Sequence, residues 1–319
     1  MDNEWERAEP IYPIDLGMAE TLCRCMDPRM RVEHIELLPG GLINSNYKIT
    51  LRGVDQAFLL RLYARKNDDW QREQWLTTHV SGSIPVPKVY YCAYDKALCN
   101  HPFAIYEFLD GVTLDRYLAD GHQPTPQLAR EIGEALAWLH QQTFTAVGVF
   151  DQTFHITQPL PLPSKWPMLF LQGRTAERLG ETAVHAVTDL LTQHADILHA
   201  FDRRAVMCHG DFRPVNIMVR DGRLLGIIDW EMAVAAPALL DISLFIRFDE
   251  QVSNSFAHQF IDVYQQCTAF SLPGDWRRQA KLMGLTTLLQ MLGADAERPR
   301  KYQDLIRLIN KTIAEWPSE

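Results

Sequence analysis

A polar motif flanked by apolar runs constrains the fold of this chain more than any other part of the sequence. The motif reads His209-Gly210-Asp211-Phe212-Arg213-Pro214-Val215-Asn216. Thirteen positions after Asn216 comes Asp229, again directly behind an apolar run. Taken singly, each of these polar residues could merely shape a turn. Their joint spacing and the strand-like runs around them favour a functional site instead.

The apolar runs after the motif predict a β-hairpin. Residues 217–219 and 224–228 are apolar, and Arg220-Asp221-Gly222-Arg223 between them suits a tight turn. Such a hairpin would bring Asn216 and Asp229 to the same end of its two strands. An amide oxygen and a carboxylate are hard ligands that suit Mg²⁺, whose octahedron is completed by substrate phosphates and waters. The sequence therefore predicts a magnesium site.

The first third of the chain predicts a β-rich lobe. Strand-like runs rich in Ile, Leu, Tyr and Val cover residues 32–38, 46–51, 57–63, 88–94 and 103–109. The connections Pro39-Gly40-Gly41 and Gly53-Val54-Asp55-Gln56 are short and flexible enough for hairpin turns, which indicates an antiparallel meander. Residues 68–80 have helical character and separate the third strand from the fourth.

Beyond Gly111 the pattern becomes helical. Leu128, Ile132, Leu136 and Leu139 repeat at intervals of three and four residues, as in an amphipathic helix. Prolines between residues 158 and 167 predict a connector, and three more helical patterns follow Ser253. The expected fold class is α+β. We expect a β-rich N-terminal lobe over residues 1–108 and a larger, mainly helical lobe over residues 109–319.

Composition excludes several classes of function. The chain has 319 residues, 47% of them hydrophobic, which is enough for two lobes with cores of their own. Its formal net charge of −9 argues against a nucleic-acid binder, which needs a basic surface to neutralise phosphates. No apolar run approaches a membrane span, and residues 1–9 lack an apolar signal segment. Six scattered cysteines indicate free thiols, so we expect a cytoplasmic protein that binds neither nucleic acid nor membrane.

The motif H-x-D-x-x-x-x-N with its downstream aspartate resembles the catalytic and metal-binding loops of the aminoglycoside phosphotransferase and choline kinase family, relatives of protein kinases. The resemblance extends from about Val32 to Ile246, and His-Gly-Asp with Ile-Asp-Trp-Glu is typical of the small-molecule branch. It implies a protein-kinase-like two-lobe fold with a five-stranded antiparallel sheet in the N-terminal lobe. It also implies Mg²⁺-dependent transfer of the γ-phosphate of ATP to a hydroxyl of a small molecule, such as an aminoglycoside, an amino alcohol or a sugar.

The resemblance assigns roles to the residues of the motif. Asp211 would accept or orient the proton of the substrate hydroxyl, while Asn216 and Asp229 would hold Mg²⁺ against the nucleotide's phosphates. Arg213 stands where related kinases carry a lysine that touches the transferring phosphate, although it could equally pair with a structural carboxylate. Asp241 would buttress the catalytic loop.

The resemblance also assigns nucleotide-binding residues in the N-terminal lobe. They are Gly40, Gly41, Asn44, Arg61, Glu73, Glu107 and Leu109. The glycines would let backbone amides approach the phosphates. Arg61 stands where the third strand normally presents a lysine to the α- and β-phosphates, and Glu73 would be its ion-pair partner. The main chain at Glu107 and Leu109 would pair with the adenine edge.

Two alternatives to a small-molecule kinase stay open on the sequence alone. Arginine in place of lysine at position 61 would suit a nucleotide-binding pseudokinase, whereas the intact Asp211, Asn216 and Asp229 favour an enzyme. A protein kinase would need a long activation segment, but only eleven residues separate Asp229 from Asp241.

The acceptor is expected to meet the more divergent parts of the helical lobe, residues 164–204 and the helices after Ser253. Three acidic residues could receive a cationic acceptor or could simply face solvent: Glu231, Asp249 and Glu250.

Overall fold

The computed structural model describes residues 5–248 and 250–316. This part of the chain divides into two compact units. The first unit comprises residues 5–111 and 225–231, and the second comprises residues 112–224 and 232–316. No helix among the described residues is long and apolar enough to cross a membrane. The assignment of nucleotide binding to residues 1–108 and of catalysis to residues 109–319 stays a prediction.

The first unit is built on an antiparallel sheet. Its elements are α1 (Leu16–Cys23), β1 (Val32–Leu37), β2 (Ser45–Leu51), β3 (Val54–Leu62), α2 (Asp69–Val80), β4 (Val89–Ala93) and β5 (Phe103–Glu107). The five strands pair antiparallel in the order β1-β2-β3-β5-β4. The sheet predicted from the strand-like runs is therefore confirmed, with the helix predicted at residues 68–80 between its third and fourth strands.

The core of this unit is formed by side chains that alternate along its strands. Alternate residues of β2 are buried, among them Tyr47 and Ile49, because successive side chains of a strand point to opposite faces. Leu22 and Cys23 of α1 belong to the same core. Burial is the main cause that raises the pKa of the Cys23 thiol to about 12, so this cysteine is a packed, protonated side chain.

The turn between β2 and β3 is tighter than predicted. Leu51 pairs with Val54, so the turn consists of Arg52 and Gly53, and the predicted four-residue turn over residues 53–56 was wrong. Gly53 has φ +72°, which glycine adopts without the steric cost that a Cβ would bring. Closing the turn in two residues leaves residues 54–56 free to extend β3.

The second unit is mainly helical. Its elements are β6 (Val112–Thr113), α3 (Leu114–Ala119), α4 (Pro126–His140), β7 (Thr143–Phe144), β8 (Gly148–Phe150), β9 (Ile156–Pro159), α5 (Trp166–Phe170), α6 (Arg174–Leu179), α7 (Glu181–Gln193), α8 (Ala195–Phe201), β10 (Ala205–Cys208), β11 (Ile217–Arg220), β12 (Arg223–Ile227), β13 (Val234–Ala236), α9 (Leu239–Phe245), α10 (Asn254–Cys267), α11 (Trp276–Leu292) and α12 (Pro299–Ala314). Strand β12 begins in this unit and continues into the first. The three helical patterns predicted after Ser253 correspond to α10, α11 and α12.

A small second sheet was missed in the sequence. Its order is β7-β10-β13-β8-β9, and its strands have two to four residues, too few to show a period of two. The predicted proline-rich connector begins inside this sheet, because Pro159 pairs with Gly148. Proline is tolerated there because β9 is an edge strand. This sheet contains β10, which leads directly into the polar motif.

The hairpin predicted after the motif is present as β11 and β12. Its turn consists of Asp221 and Gly222, with φ +53° and +70°. Two successive residues with positive φ give a turn whose twist matches that of the strands. Thr125, at the start of α4, donates a hydrogen bond of 2.9 Å to the Gly222 carbonyl and so ties the turn to the helix.

Candidate active site

A buried carboxylate holds the loop that follows β10. Asp241 of α9 accepts hydrogen bonds from the backbone N–H of His209 at 2.7 Å and of Gly210 at 2.9 Å. His140 Nε2 lies 3.3 Å from the same carboxylate, and Tyr264 Oη lies 2.8 Å from His140 Nδ1. The buttress that the resemblance implied at Asp241 is thus present as hydrogen bonds to the loop's backbone.

Gly210 lets the loop approach the backbone at Met232. Its φ is +78°, and a Cβ at this position would collide with the Met232 carbonyl. A side chain at position 210 would therefore meet both backbone strain and fixed main-chain atoms. The loop conformation that presents Asp211 depends on this glycine.

Both carboxylate oxygens of Asp211 are engaged. Arg213 donates from Nε to Oδ1 at 2.5 Å and from Nη2 to Oδ2 at 2.8 Å, and Asn216 Nδ2 donates to Oδ2 at 2.7 Å. Burial alone would raise the pKa of Asp211, but Arg213 above all, helped by Arg247 and His209, lowers that pKa to about 2. Asp211 is therefore ionised at neutral pH. Of the two roles open for Arg213, the structure shows pairing with a carboxylate.

The amide of Asn216 is oriented by the same loop. Its nitrogen also donates to the Asp211 carbonyl at 2.8 Å, which leaves the amide oxygen as the atom that can face a cation. Asn216 is almost fully buried, so this orientation is fixed by packing as well as by hydrogen bonds. An amide oxygen is an acceptable Mg²⁺ ligand. The geometry of Asn216 therefore fits the predicted metal role.

In the first unit, Arg61 on β3 bridges two carboxylates. Its Nη1 lies 2.6 Å from Glu73 Oε1, its Nη2 lies 2.5 Å from Asp229 Oδ1, and its Nε donates to Asn46 Oδ1 at 3.0 Å. The ion pair expected between Arg61 and Glu73 is present, with both side chains 4% exposed. Burial opposes the charge on Arg61, but Asp229 and Glu73 outweigh it and raise the pKa of the guanidinium well above its usual range. The cluster holds a permanent buried cation.

Two tyrosines that the sequence pattern did not single out complete this cluster. Tyr63 Oη donates to Glu73 Oε2 at 2.6 Å, and it lies 2.8 Å from Tyr106 Oη. Burial is the main cause that raises the pKa of both phenols well above the usual value, so they stay protonated. In the sequence each tyrosine reads as one more strand residue. The signal that could have found them is the register that places β3 beside β5.

The glycine loop between β1 and β2 is braced by residues outside it. Arg7 donates from Nη2 to the carbonyls of Ile43 at 3.1 Å and Asn44 at 3.2 Å, a contact that the sequence did not indicate. Gly40 has φ +96°, and a Cβ on Gly41 would lie 2.9 Å from the Asn44 carbonyl. The loop is a compact turn in which the two glycines are needed for backbone conformation and close approach.

Asn44 also connects this loop to an acid with a perturbed pKa. Its Nδ2 donates to Glu231 Oε2 at 3.2 Å, and its Oδ1 accepts from the Ala64 N–H at 3.2 Å. Burial first, and then the negative charges of Glu73 and Asp229, raise the pKa of Glu231 to about 7. Glu231 therefore titrates near neutral pH. Strongly perturbed acids are common at functional sites.

Glu107 and Leu109, whose main chain is predicted to pair with the adenine edge, make other main-chain hydrogen bonds in the structure. Glu107 N–H donates to the Lys88 carbonyl at 2.8 Å, and the Leu109 carbonyl accepts from the Gly111 N–H at 2.9 Å. A Cβ on Gly226 would lie 2.7 Å from a methyl group of Leu109, so β12 passes close to this residue. Pairing of the adenine edge with the main chain at Glu107 and Leu109 stays a prediction.

The three acids considered for a cationic acceptor have different surroundings. Glu231 accepts from Asn44 as described, and Glu250 accepts from Arg307 Nη1 at 2.9 Å. Asp249 lies outside the described residues. Glu250 is therefore part of a surface ion pair.

One buried group has the composition of a metal site. Ligand atoms of His140, Cys208 and Asp241 lie within 4.8 Å of one another. The Cys208 thiol donates to the carbonyls of Ala236 and Pro237, both at 3.5 Å, and burial raises its pKa well above the usual value. A metal would need the thiolate. These side chains are better explained as the hydrogen-bonded support of the loop.

Seven of the predicted site residues thus form two clusters, one in each unit. The first unit brings together Asn44, Arg61, Glu73 and Asp229, with Glu231 added. The second unit brings together Asp211, Arg213 and Asn216.

Comparison with known proteins gives a family and relatives. The family model described as the phosphotransferase enzyme family, APH, matches residues 34–282. Homoserine kinases of Sinorhizobium medicae (strain WSM419) and Beijerinckia indica subsp. indica are 27% identical over 222 residues and 28% identical over 217 residues. Each match covers 65% of this chain. It covers 60% of the Sinorhizobium enzyme and 61% of the Beijerinckia enzyme. A probable acyl-CoA dehydrogenase, IBR3, of Arabidopsis thaliana is 26% identical over 166 residues, 50% of this chain and 20% of that protein. The matches thus span less than two thirds of these relatives.

Solved structures of similar fold include aminoglycoside phosphotransferases. The GDP and kanamycin complex of APH(2")-IIia gives a TM-score of 0.71 at 18% identity, covering 95% of this chain and 100% of that chain. The structure of APH(4)-Ia gives a TM-score of 0.69 at 14% identity, and the match covers 95% of this chain and 100% of that chain. At these identities the likeness establishes the fold alone. The protein-kinase-like two-lobe α+β fold predicted from the sequence is confirmed.

Proposed function

We propose that this chain, which belongs to the phosphotransferase enzyme family, is a small-molecule kinase that transfers the γ-phosphate of ATP to a hydroxyl group, with Mg²⁺ as the metal. The observation that carries this proposal is the ionised Asp211, held by Arg213 and Asn216 in a buttressed loop. Phosphoryl transfer needs little covalent chemistry from the protein. Positioning of the reactants and stabilisation of charge supply most of the catalysis.

Asp211 orients the acceptor. A carboxylate whose pKa lies near 2 is a weak base, so it accepts a hydrogen bond from the hydroxyl and fixes the direction of attack. The proton needs to leave only as the new P–O bond forms, since the transition state of phosphoryl transfer is loose. Arg213, two residues along the same loop, carries the charge that can stabilise the transferring phosphoryl group.

Asn216 and Asp229 are the proposed Mg²⁺ ligands. Asn216 would use its amide oxygen and Asp229 its carboxylate, and the ion would neutralise charge on the β- and γ-phosphates. Support comes from the order of the elements along the chain: Asn216 directly precedes β11, Asp229 follows β12, and a two-residue turn joins the strands. The flanks of such a hairpin meet at one end of it.

Arg61 is the proposed contact to the α- and β-phosphates. Its Nη2 is paired with Asp229 and its Nη1 with Glu73. Phosphate oxygens can replace Asp229 as partner of Nη2, because a guanidinium binds phosphate in the same geometry as carboxylate. Asp229 would then be free to turn to the metal, while Glu73 keeps Arg61 in place.

The remaining nucleotide contacts come from main-chain groups of the first unit. The loop at Gly40, Gly41 and Asn44 would cover the phosphates through its amides. The Glu107 carbonyl and the Leu109 N–H would pair with the adenine edge.

A coupled assay of ADP release tests the proposal. The acceptors are aminoglycosides, amino alcohols, sugars and hydroxy amino acids, each with Mg²⁺ and with EDTA in excess. We expect acceptor-dependent release of ADP that stops without the metal. Asp211→Asn should lower the rate at least about 100-fold, since a positioned carboxylate contributes about 10² to 10⁴.

Asp221→Asn is the matched control. It makes the same change at the exposed β11–β12 turn, where Asn tolerates the positive φ, and the rate should not change. Near-normal turnover in Asp211→Asn, with the melting temperature of the wild type, would contradict the proposed role.

A further inference from the structure

A segment that precedes α1 runs beside the glycine loop between β1 and β2. It comprises residues 7–12, which form neither helix nor strand, and we call it the strap. One end of the strap is fixed to β2 at Tyr12. The Tyr12 N–H donates to Ser45 Oγ at 3.0 Å, and Tyr47 Oη donates to the Tyr12 carbonyl at 2.6 Å. Because Ser45 and Tyr47 are buried, the strap is attached to the core of the first unit.

The other end of the strap holds three successive carbonyls of the glycine loop. The Ala8 N–H donates to the Leu42 carbonyl at 2.7 Å. Arg7 Nη2 donates to the carbonyls of Ile43 at 3.1 Å and Asn44 at 3.2 Å. The strap therefore grips the loop through main-chain atoms, independently of the side chains at these three positions.

The Arg7 side chain is itself fixed between the strap and the loop. Its Nε donates to the Glu9 carbonyl within the strap at 3.1 Å. A Cβ on Gly41 would lie 3.5 Å from Arg7 Nη1, so the loop passes close to the guanidinium. Hydrogen bonds from a charged donor are stronger than those between neutral groups. Arg7 is therefore the main link between the strap and the loop.

The direction of the peptide groups connects this grip with anion binding. In a planar trans peptide, the C=O of one residue and the N–H of the next point in opposite directions. Since the carbonyls of Leu42 and Ile43 face the strap, the N–H groups of Ile43 and Asn44 face the opposite side of the loop. Neither N–H donates to another group among the described residues. Successive N–H groups that are held in this way can bind an anion.

We propose that the strap positions the glycine loop for the phosphates of the nucleotide, with Arg7 as the positioning residue. This inference rests on the proposed kinase function and assigns part of the nucleotide affinity to a segment outside the loop. A loop held from behind does not have to be ordered by the ligand. Without the strap, only a fraction of the molecules would have the loop ready, and the apparent affinity would fall by that fraction. Arg7 acts through the loop and does not contact the nucleotide.

Two ligands that differ only in their phosphates test the proposal. Calorimetric titration of the full chain with ADP and with adenosine, both with Mg²⁺, gives the ratio of the two affinities. We expect the ratio to favour ADP in the wild type and to fall about tenfold in Arg7→Met, which corresponds to about 1.4 kcal/mol. Adenosine lacks the phosphates that the loop would cover, so its affinity should not change. A loss of folded protein would weaken both ligands alike.

The kinetic constants give a second measure of the same effect. In the ADP-release assay, Arg7→Met should raise KM for ATP by more than it lowers kcat, because the strap contacts none of the residues proposed for the transfer step. Arg7→Lys keeps a charged donor at the loop and should recover part of the ADP preference.

Two uncharged variants separate bracing from charge. Ser45→Ala and Tyr47→Phe each remove one hydrogen bond that fixes the strap at Tyr12. Both variants leave every charge of the unit in place. They should lower the ratio of ADP to adenosine affinity in the same direction as Arg7→Met, but by less.

Arg31→Met is the matched control for Arg7→Met. Arg31 Nη1 also donates to two main-chain carbonyls, those of Pro28 at 3.2 Å and Met30 at 2.8 Å. It directly precedes β1, whereas the glycine loop follows the other end of that strand. Removing this arginine should leave the ratio unchanged.

The outcomes distinguish the two proposals. A ratio in Arg7→Met equal to that of the wild type overturns the strap while phosphate transfer stands. A ratio that falls in Arg7→Met but in neither uncharged variant also overturns it, since charge alone would then explain the loss. If ADP binds better than adenosine but no acceptor stimulates ADP release, phosphate transfer fails and the titrations still decide the strap. Equal affinities of the wild type for ADP and adenosine would overturn the phosphate role of the loop, and the strap with it.

Discussion

Arg213 donates hydrogen bonds to both carboxylate oxygens of Asp211, from Nε to Oδ1 at 2.5 Å and from Nη2 to Oδ2 at 2.8 Å. Such bidentate pairs are shorter and stronger than neutral hydrogen bonds, and they fix the plane of the carboxylate. The pair explains why Asp211 keeps its charge although it is largely enclosed. It also makes the acid limb of the pH–activity profile depend on Arg213, which is not the residue proposed to contact the acceptor hydroxyl.

Arg213→Met should therefore change the pH profile. Removal of the guanidinium raises the pKa of Asp211 from its value of about 2 and lets protons compete at mildly acidic pH. We expect kcat/KM to fall about tenfold to 100-fold, the amount that a lost charged hydrogen bond allows, and its acid limb to move to higher pH. The profile between pH 4.5 and 8 measures both effects. Arg220→Met, at the exposed end of β11, is the control, and an unmoved acid limb in Arg213→Met would argue against this electrostatic role.

Arg61→Met should destabilise the first unit. The change leaves Glu73, which is 4% exposed, and Asp229 without their shared cation. Breaking a buried pair by removing one partner costs about 3–5 kcal/mol. Calorimetric unfolding measures the loss, and Arg52→Met, at the exposed β2–β3 turn, should stay within about 0.5 kcal/mol of the wild type. Adding Glu73→Gln to Arg61→Met should recover part of the loss, whereas strictly additive losses would contradict the coupling.

Glu231 should make stability fall as pH rises toward neutrality. Its pKa is about 7 in the folded protein, raised from 4.5 by burial and by the charges of Glu73 and Asp229. Between those values the folded protein holds a proton that the unfolded chain has released, so raising the pH lowers the free energy of unfolding. Glu231→Gln removes this dependence. The melting temperature of Glu231→Gln relative to the wild type should rise between pH 5 and pH 7.5.

The exposed carboxylate of Glu36 on β1 provides the control for Glu231. Glu36→Gln should show no comparable trend in relative melting temperature over the same range. A flat difference for Glu231→Gln as well would mean that the environment of Glu231 does not hold its proton.

Gly210→Ala should lower the free energy of unfolding more than the same change at Gly53, a glycine with a similar φ and open surroundings. Both Gly210 and Gly53 have positive φ, but a Cβ meets the Met232 carbonyl only at Gly210, and nothing lies within 4 Å at Gly53. Gly53→Ala should lose about 1–2 kcal/mol from backbone strain alone. Gly210→Ala should lose more, together with turnover. Unfolding in denaturant compares the two, and equal losses would mean that the loop can move away from Met232.

The strands and the main hairpin could be predicted because their signals are local. Ile, Leu, Val and Tyr mark each strand of the first sheet, and Asp221-Gly222 is a pair that tolerates two positive φ values. The loop with Asp211 and Asn216 was equally visible, since its polar residues stand at a characteristic spacing between apolar runs.

What could not be predicted depends on register and on long-range contacts. Asn46 lies opposite Arg61 because of the two-residue turn at Arg52 and Gly53 together with a register shift between Ile49 and Leu51. A turn over residues 53–56 would place another residue there. The bracing of the Asn44 carbonyl by Arg7 joins segments far apart in sequence and has no local pattern.

The backbone at Asp229 limits what can replace it. Its φ of +66° lies in the left-handed region, where among residues with a side chain Asn and Asp are favoured and β-branched residues are strongly disfavoured. Of the residues that this conformation accepts readily, Gly has no ligand atom and Asn has no charge with which to neutralise Arg61. In a library randomised at this codon, clones that fold should therefore concentrate on very few amino acids, because most substitutions would lose either the backbone conformation or the negative charge at this position.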